Sequence, residues 1–173
     1  MGALTGAAVR RLVSSALVLL IALAAGPAAA QTVTGKVVAV HDGDTISIRS
    51  SSSTIRVRLV GIDCPEARQP YSARAKRFTS QMVFGKTVTV HGEGLDRYDR
   101  LLGRVLVDGV DVNEALVRNG LAWHYQTGAG DRRLAEAEKA ARAARAGLWA
   151  DADPIPPWRW RRAVPSAPRP RPR

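Results

Sequence analysis

From Val33 to Asp108 apolar residues come in short alternating bursts, each interrupted by turn residues before it is long enough for a helix. The bursts at 38–41, 45–49, 55–60, 87–90 and 103–107 predict five strands. Ile46 and Ile48, then Ile55, Val57 and Leu59, are flanked by polar residues, as in strands with one packed and one wet face. Between the third and fourth strands Tyr71, Ala75, Phe78 and Met82 recur at helical spacing, with Gly85 placed to stop that helix in a left-handed conformation. A second helix starts at Asp111, with Glu114 three residues on as in a capping box, and ends at Asn119-Gly120. A third, capped by Asp131, lines up Leu134, Ala137, Ala141, Ala144 and Leu148, with Glu138 and Arg142 at supportive spacing outside.

Five strands with a helix between the third and fourth is the order of an α+β, OB-type β-barrel, here carrying three helices in all. The pattern alone also admits a mixed α+β sheet domain. Residues 31–150 form this domain. Residues 149–160 hold Trp149, Trp158 and Trp160 among prolines and read as an extended strap, its own segment being 151–160; residues 161–173, rich in Arg and Pro, read as a disordered tail.

Residues 1–30 have the grammar of an export signal: Arg10 and Arg11, an uncharged apolar run from Leu12 to Ala25, and Ala28-Ala29-Ala30 as a cleavage site. That run is short for a membrane span and breaks at Gly26-Pro27. The expectation is a secreted or periplasmic chain cut after Ala30 and left without a stable span. The single Cys64 excludes an intramolecular disulfide, so stability comes from packing, and three scattered histidines lack zinc-ligand spacing. Of 26 basic residues, two are Arg10 and Arg11 and six lie at 159, 161, 162, 169, 171 and 173, leaving 18 against 15 acidic residues over 31–157. The positive excess is thus mostly a tail property. It attracts polyanions without choosing between nucleic acid, anionic lipid and cell-wall polymer.

Chemistry concentrates at two strand ends. Asp42-Gly43-Asp44-Thr45 closes the first strand, and Arg58-Leu-Val-Gly-Ile-Asp63-Cys64-Pro65-Glu66 runs out of the third. Carboxylates gathered there can hold a hard divalent cation through oxygen and orient a water. Taken alone, the Asp-Gly-Asp turn is an ordinary hairpin cap; its pairing with Arg58 and the Asp63–Glu66 stretch is what points to a site. Period two puts Arg56 and Arg58 opposite Ile55, Val57 and Leu59, and Arg56 reads as a solvated surface residue.

These pieces, followed in order by Asp96-Arg97-Tyr98-Asp99-Arg100, Val112-Asn113-Glu114-Ala115-Leu116-Val117 and Gly147-Leu148-Trp149, resemble the staphylococcal thermonuclease family over about 33–149. The resemblance implies a Ca2+-dependent nuclease acting on DNA and RNA, with single strands preferred, that expels the 5′-oxygen, leaves 3′-phosphate ends and works as a monomer. It implies Asp44, Asp63 and the backbone carbonyl of Cys64 as metal ligands, Glu66 as the residue that orients or deprotonates the attacking water, and Arg58 and Arg100 as guanidiniums on the scissile phosphate. Arginine suits that last task because its fork meets two phosphate oxygens and keeps its charge. Tyr98, Tyr125 and Trp123 are the expected base-stacking residues; Trp123 is as readily a packing residue. Two departures stand out: Asp99 occupies a position where the family usually has Gly, setting a carboxylate against Arg100, and the link from Glu66 to the first helix is shorter than in the founding enzyme. The competing readings are a non-catalytic OB-type nucleic-acid-binding module and a surface protein whose Arg-Pro tail binds anionic polymers. A binding module has no need of all five of Asp44, Asp63, Glu66, Arg58 and Arg100.

Overall fold

The computed structural model describes residues 31–51, 53–125 and 130–163; the expected leader and most of the Arg-Pro tail lie outside the described residues. Strands β1 (Gln31–Val40), β2 (Thr45–Ser50), β3 (Ser53–Leu59), β5 (Thr87–Leu95) and β6 (Leu101–Val107) are the five expected ones, each near its predicted position. They run in the order β3-β2-β1-β5-β6, antiparallel throughout, and a parallel pairing of β3 with β6 closes the sheet into a barrel. Register shifts between Val37 and Ala39, and between Gly92 and Gly94, supply the local bends that closure requires. Two-residue strands β4 (Ile62–Asp63) and β8 (Trp123–His124) form a separate antiparallel pair, and β7 (Val110–Asp111) extends the sheet beyond β6.

The barrel core is aliphatic: Val37, Ile46, Ile48, Val57, Leu59, Val88, Val90 and Val105 are all at most 1% exposed. Burying each such side chain is worth about 1.5–3 kcal/mol. Helix α1 (Ser72–Val83) lies against this core through Ala75, Thr79 and Val83, while Tyr71, Phe78 and Met82 are only partly buried, so the apolar stripe is rotated from the expected one. Helix α2 (Val112–Arg118) is capped by Asp111, whose carboxylate accepts from the Glu114 N–H at 3.0 Å, and helix α3 (Arg132–Ala143) by Asp131, which accepts from Arg133 and Leu134. Leu134, Ala137 and Ala141 are buried on α3, whereas Ala144 is its exposed C-cap. Among the described residues no helix is long and apolar enough to cross a membrane.

Among the described residues the helix count departs from three. After a 3-10 turn at Gly147–Ala150, residues 157–163 form a fourth helix, α4 (Pro157–Ala163), where an extended strap gave way to a tail in the sequence reading. Pro157 sits at the first helical position, where its missing N–H costs nothing. Helix α4 is held by aromatic packing: the Trp158 ring lies 5.6 Å from Trp123 and 5.5 Å from Tyr125. A hydrogen bond from Gln69 Nε2 to the Ile155 carbonyl, 2.6 Å, ties the approach to α4 back to the loop after Glu66.

Candidate active site

The turn between β1 and β2 is fixed from three sides. Asp42 Oδ1 accepts from the Asp44 N–H at 3.1 Å, and the Thr79 hydroxyl on α1 donates to the Gly43 carbonyl at 2.6 Å. A Cβ at position 43 would come within 2.8 Å of both Ala75 and Cys64, so only glycine lets the turn sit this close to them. Asp44, 3% exposed, is thereby aimed at the end of the β3–β4 segment, where its Oδ2 accepts from the Cys64 N–H at 2.6 Å.

Asp63 reaches the same point from β4, whose ladder partner at that position is Trp123. It is 2% exposed. Arg58 bridges the two carboxylates, pairing with Asp44 Oδ1 and, through Nη2 at 2.9 Å, with Asp63 Oδ1. Arg58 stands on the opposite side of β3 from buried Val57 and Leu59, as the alternation predicts. Glu66 lies at the rim with its backbone N–H donating to Gln69 Oε1 at 2.9 Å, a bond that shapes the loop behind it. Burial pushes the Cys64 thiol well above its ordinary range and leaves it 4% exposed, which disqualifies it as a nucleophile.

The β5–β6 turn at 96–100, which leads into the strand paired with β3, supplies the next part of the wall. Its organiser is Asp96: Oδ1 accepts from the Tyr98 N–H at 2.8 Å and the Arg100 N–H at 3.1 Å, and Oδ2 holds the Arg100 guanidinium at 2.7–2.8 Å. Burial disfavours its charge, but the hydrogen bonds from Arg100 and Tyr98 outweigh that and hold the Asp96 carboxyl below its ordinary range. Asp99 has φ of 57°, the left-handed region, which accounts for a glycine preference there; the carboxylate paired with Arg100 is that of Asp96. Arg97 and Arg100 both lie over the exposed ring of Tyr98.

Asp44, Arg58, Cys64, Glu66, Tyr98 and Arg100 therefore border one cavity of about 630 Å³, with Asp63 just behind it on Arg58. Arg56 and His41 line the same cavity; Arg56 is exposed, as expected, yet faces the site and not open surface alone. Burial, with help from Arg56, lowers the pKa of His41, whose Nε2 is 2.8 Å from Ser47 Oγ. Tyr125 is exposed but sits against Trp158, outside the cavity wall. Of the two readings of Trp123, packing fits its surroundings: it is 9% exposed, with Trp149, Trp158 and the Arg142 guanidinium packed on it.

Sequence reasoning missed five residues that shape this site. Thr79 left one signal, a polar residue on a buried helix face, and Asp96 and Asn113 lay within motifs already noted. Asn113 is fully buried, donates to the Val60 carbonyl at 2.8 Å and accepts from the Val105 N–H at 3.1 Å, so it locks the end of β3 to β6. Gln69 left none. The fifth, Arg161 on α4, was folded into the basic tail. Its Nη2 donates to Asp63 Oδ2 at 2.8 Å, and its Nη1 reaches Asp63 Oδ1 at 3.3 Å and Glu66 Oε1. Hydrogen bonds to Asp63, then Glu66, outweigh burial and raise its pKa further above the arginine range.

A cation site can be tested on this donor set. No three His, Cys, Asp or Glu side chains converge among the described residues. Two buried carboxylates within the span of one guanidinium, beside a protonated thiol that offers no soft ligand, still suit a hard divalent ion that completes its shell with backbone carbonyl, water and phosphate oxygen.

Residues 56–151 match the family model described as staphylococcal nuclease homologue. An uncharacterized endonuclease of Escherichia coli O157:H7 is 47% identical over 128 residues, covering 73% of this chain and 84% of that protein. Protein ParB of Escherichia coli is 40% identical over 159 residues, 86% and 89% of the two chains, and a micrococcal nuclease of Shigella flexneri 38% over 144, 77% and 83%. With the closed barrel and matches of this extent, the chain belongs to the family of staphylococcal nuclease homologues.

Proposed function

We propose that this chain is an exported, calcium-dependent nuclease that hydrolyses phosphodiester bonds of DNA and RNA, preferring single strands, expelling the 5′-oxygen to leave 3′-phosphate ends, and acting as a monomer. The observation that carries this reading is that Asp44, Arg58, Glu66 and Arg100, from separate segments of the chain, line one cavity, with buried Asp63 paired to Arg58 just behind it. Asp44, Asp63 and the Cys64 carbonyl would hold the cation. Calcium, when bound, would neutralise the phosphate and keep a water close to it. Arg58 and Arg100 come from the neighbouring β3 and the turn before β6, and each can fork onto phosphate oxygens as negative charge builds during attack at phosphorus. Glu66, partly exposed at the rim, can orient that water and take its proton. Tyr98 and Tyr125 offer exposed rings for flanking bases.

Nuclease-named relatives support the reaction class, and the leader-like residues 1–30 support export. The deciding experiment is digestion of single-stranded DNA and of RNA with calcium and with a chelator, followed by mapping of the product ends. Calcium-dependent 3′-phosphate ends are expected. Binding without cutting would replace the nuclease with a binding module, and 5′-phosphate ends would reject the direction of attack.

A further inference from the structure

Both Asp63 oxygens are occupied from outside the barrel. Arg161 takes Oδ2 with one guanidinium nitrogen and reaches Oδ1 and Glu66 with the other, while Arg58 holds Oδ1 from the barrel side. The two arginines differ in how they are mounted. Arg58 grows from a core strand, whereas Arg161 belongs to a seven-residue helix docked through Trp158 on Trp123 and Tyr125 and through the Gln69–Ile155 bond. That docking does not depend on the ion pair, and the Arg161 side chain is 45% exposed, so its guanidinium can swing away while α4 stays in place. Trp123 is moreover the ladder partner of Asp63, so the surface on which α4 docks is continuous with the carboxylate it reaches.

We propose that Arg161 is a built-in counter-ion of the cation site: without a divalent ion its guanidinium holds Asp63 and Glu66 together, and a divalent cation binds by displacing it. This rests on the reading of Asp44 and Asp63 as cation ligands. A cation and a guanidinium on the same Asp63 oxygens repel each other, so each weakens the other's hold by the same factor. Arg58 repels the cation too, but it is mounted on core strand β3, and the half-exposed Arg161 is the guanidinium with room to leave. Competition also matches Glu66 to its task, since displacement of Arg161 frees that carboxylate at the moment the cation arrives.

The test is calcium titration of the full chain by calorimetry, with thermal melting in chelator and in calcium. Arg161→Ala should bind calcium about three- to tenfold more tightly than the parent, the range expected for losing a partly exposed competing ion pair, and should gain more melting temperature on adding calcium. Arg162→Ala removes the same charge from the same helix without touching Asp63 and should leave both readings near the parent's. Equal affinity in parent and Arg161→Ala, both binding, overturns the competition and leaves the cation site standing. An equal gain in Arg162→Ala overturns it too, since net charge would then be responsible. Absence of binding in both parent and Arg161→Ala removes the calcium site and the competition together.

Discussion

Glu66 and Asp63 are three residues apart with Pro65 between them, yet they stand in different surroundings. Asp63 is buried and bonded on both oxygens; Glu66 is at the rim, its side chain 38% exposed. A buried, doubly bonded carboxylate is suited to being a fixed ligand, and a rim carboxylate to exchanging protons with water. Glu66→Gln keeps size and hydrogen-bonding reach while removing basicity, so single-turnover cleavage should fall by about 10²- to 10⁴-fold. Equilibrium binding of a non-cleavable dinucleotide should hardly change. A parent-like cutting rate would take Glu66 out of the chemistry, and equal losses in rate and affinity would make it a binding residue. Asp44, Arg58, Glu66 and Arg100, which the structure brings to one cavity, stand out in the sequence because of the motifs that hold them, whereas Arg161, which lines the same cavity, falls in the tail on sequence alone. The bonds of Thr79 to the Gly43 carbonyl and of Gln69 to the Ile155 carbonyl were not readable, because each joins segments that sequence spacing cannot bring near.

At the scale of elements, the strands and capped helices were legible because both depend on local rules: alternation for β2 and β3, Asp caps for α2 and α3. Helix α4 escaped because seven residues of Trp and Arg carry little periodicity, and what holds them is a tertiary partner, Trp123, some 35 positions earlier. The β5–β6 turn is an element with its own titration. Asp96 ionises more readily folded than unfolded, so in the interval between its folded value and the ordinary value of 3.8 the unfolded chain binds more protons. Its contribution to stability is therefore complete above that ordinary value and is lost as pH falls through the folded one. Asp96→Asn should melt lower than the parent at pH 6, and the gap should narrow as pH falls below the ordinary value of 3.8. A gap independent of pH would mean that the amide loses geometry and not charge.

For the whole molecule, the charge is divided between a domain near balance and an arginine-rich end. Three of the six terminal arginines, Arg159, Arg161 and Arg162, belong to α4, which leaves Arg169, Arg171 and Arg173 beyond it. Deleting residues 164–173 spares α4 and tests that end alone. If those three meet single-strand phosphates, the log-log dependence of binding on salt should flatten by about 2 units. An unaltered slope would assign them to another partner.

The Gly43 turn sits directly on the sulfur of Cys64, the chain's one thiol. A thiol-reactive reagent has no other sulfhydryl to find, and this one is buried under packing that includes the turn carrying Asp44, which has to open before the reagent reaches it. The molecule thus carries its own stopwatch: at reagent concentrations where opening is the slow step, the time a chromogenic disulfide takes to label it is the waiting time for the packing around the Asp44 turn to come apart.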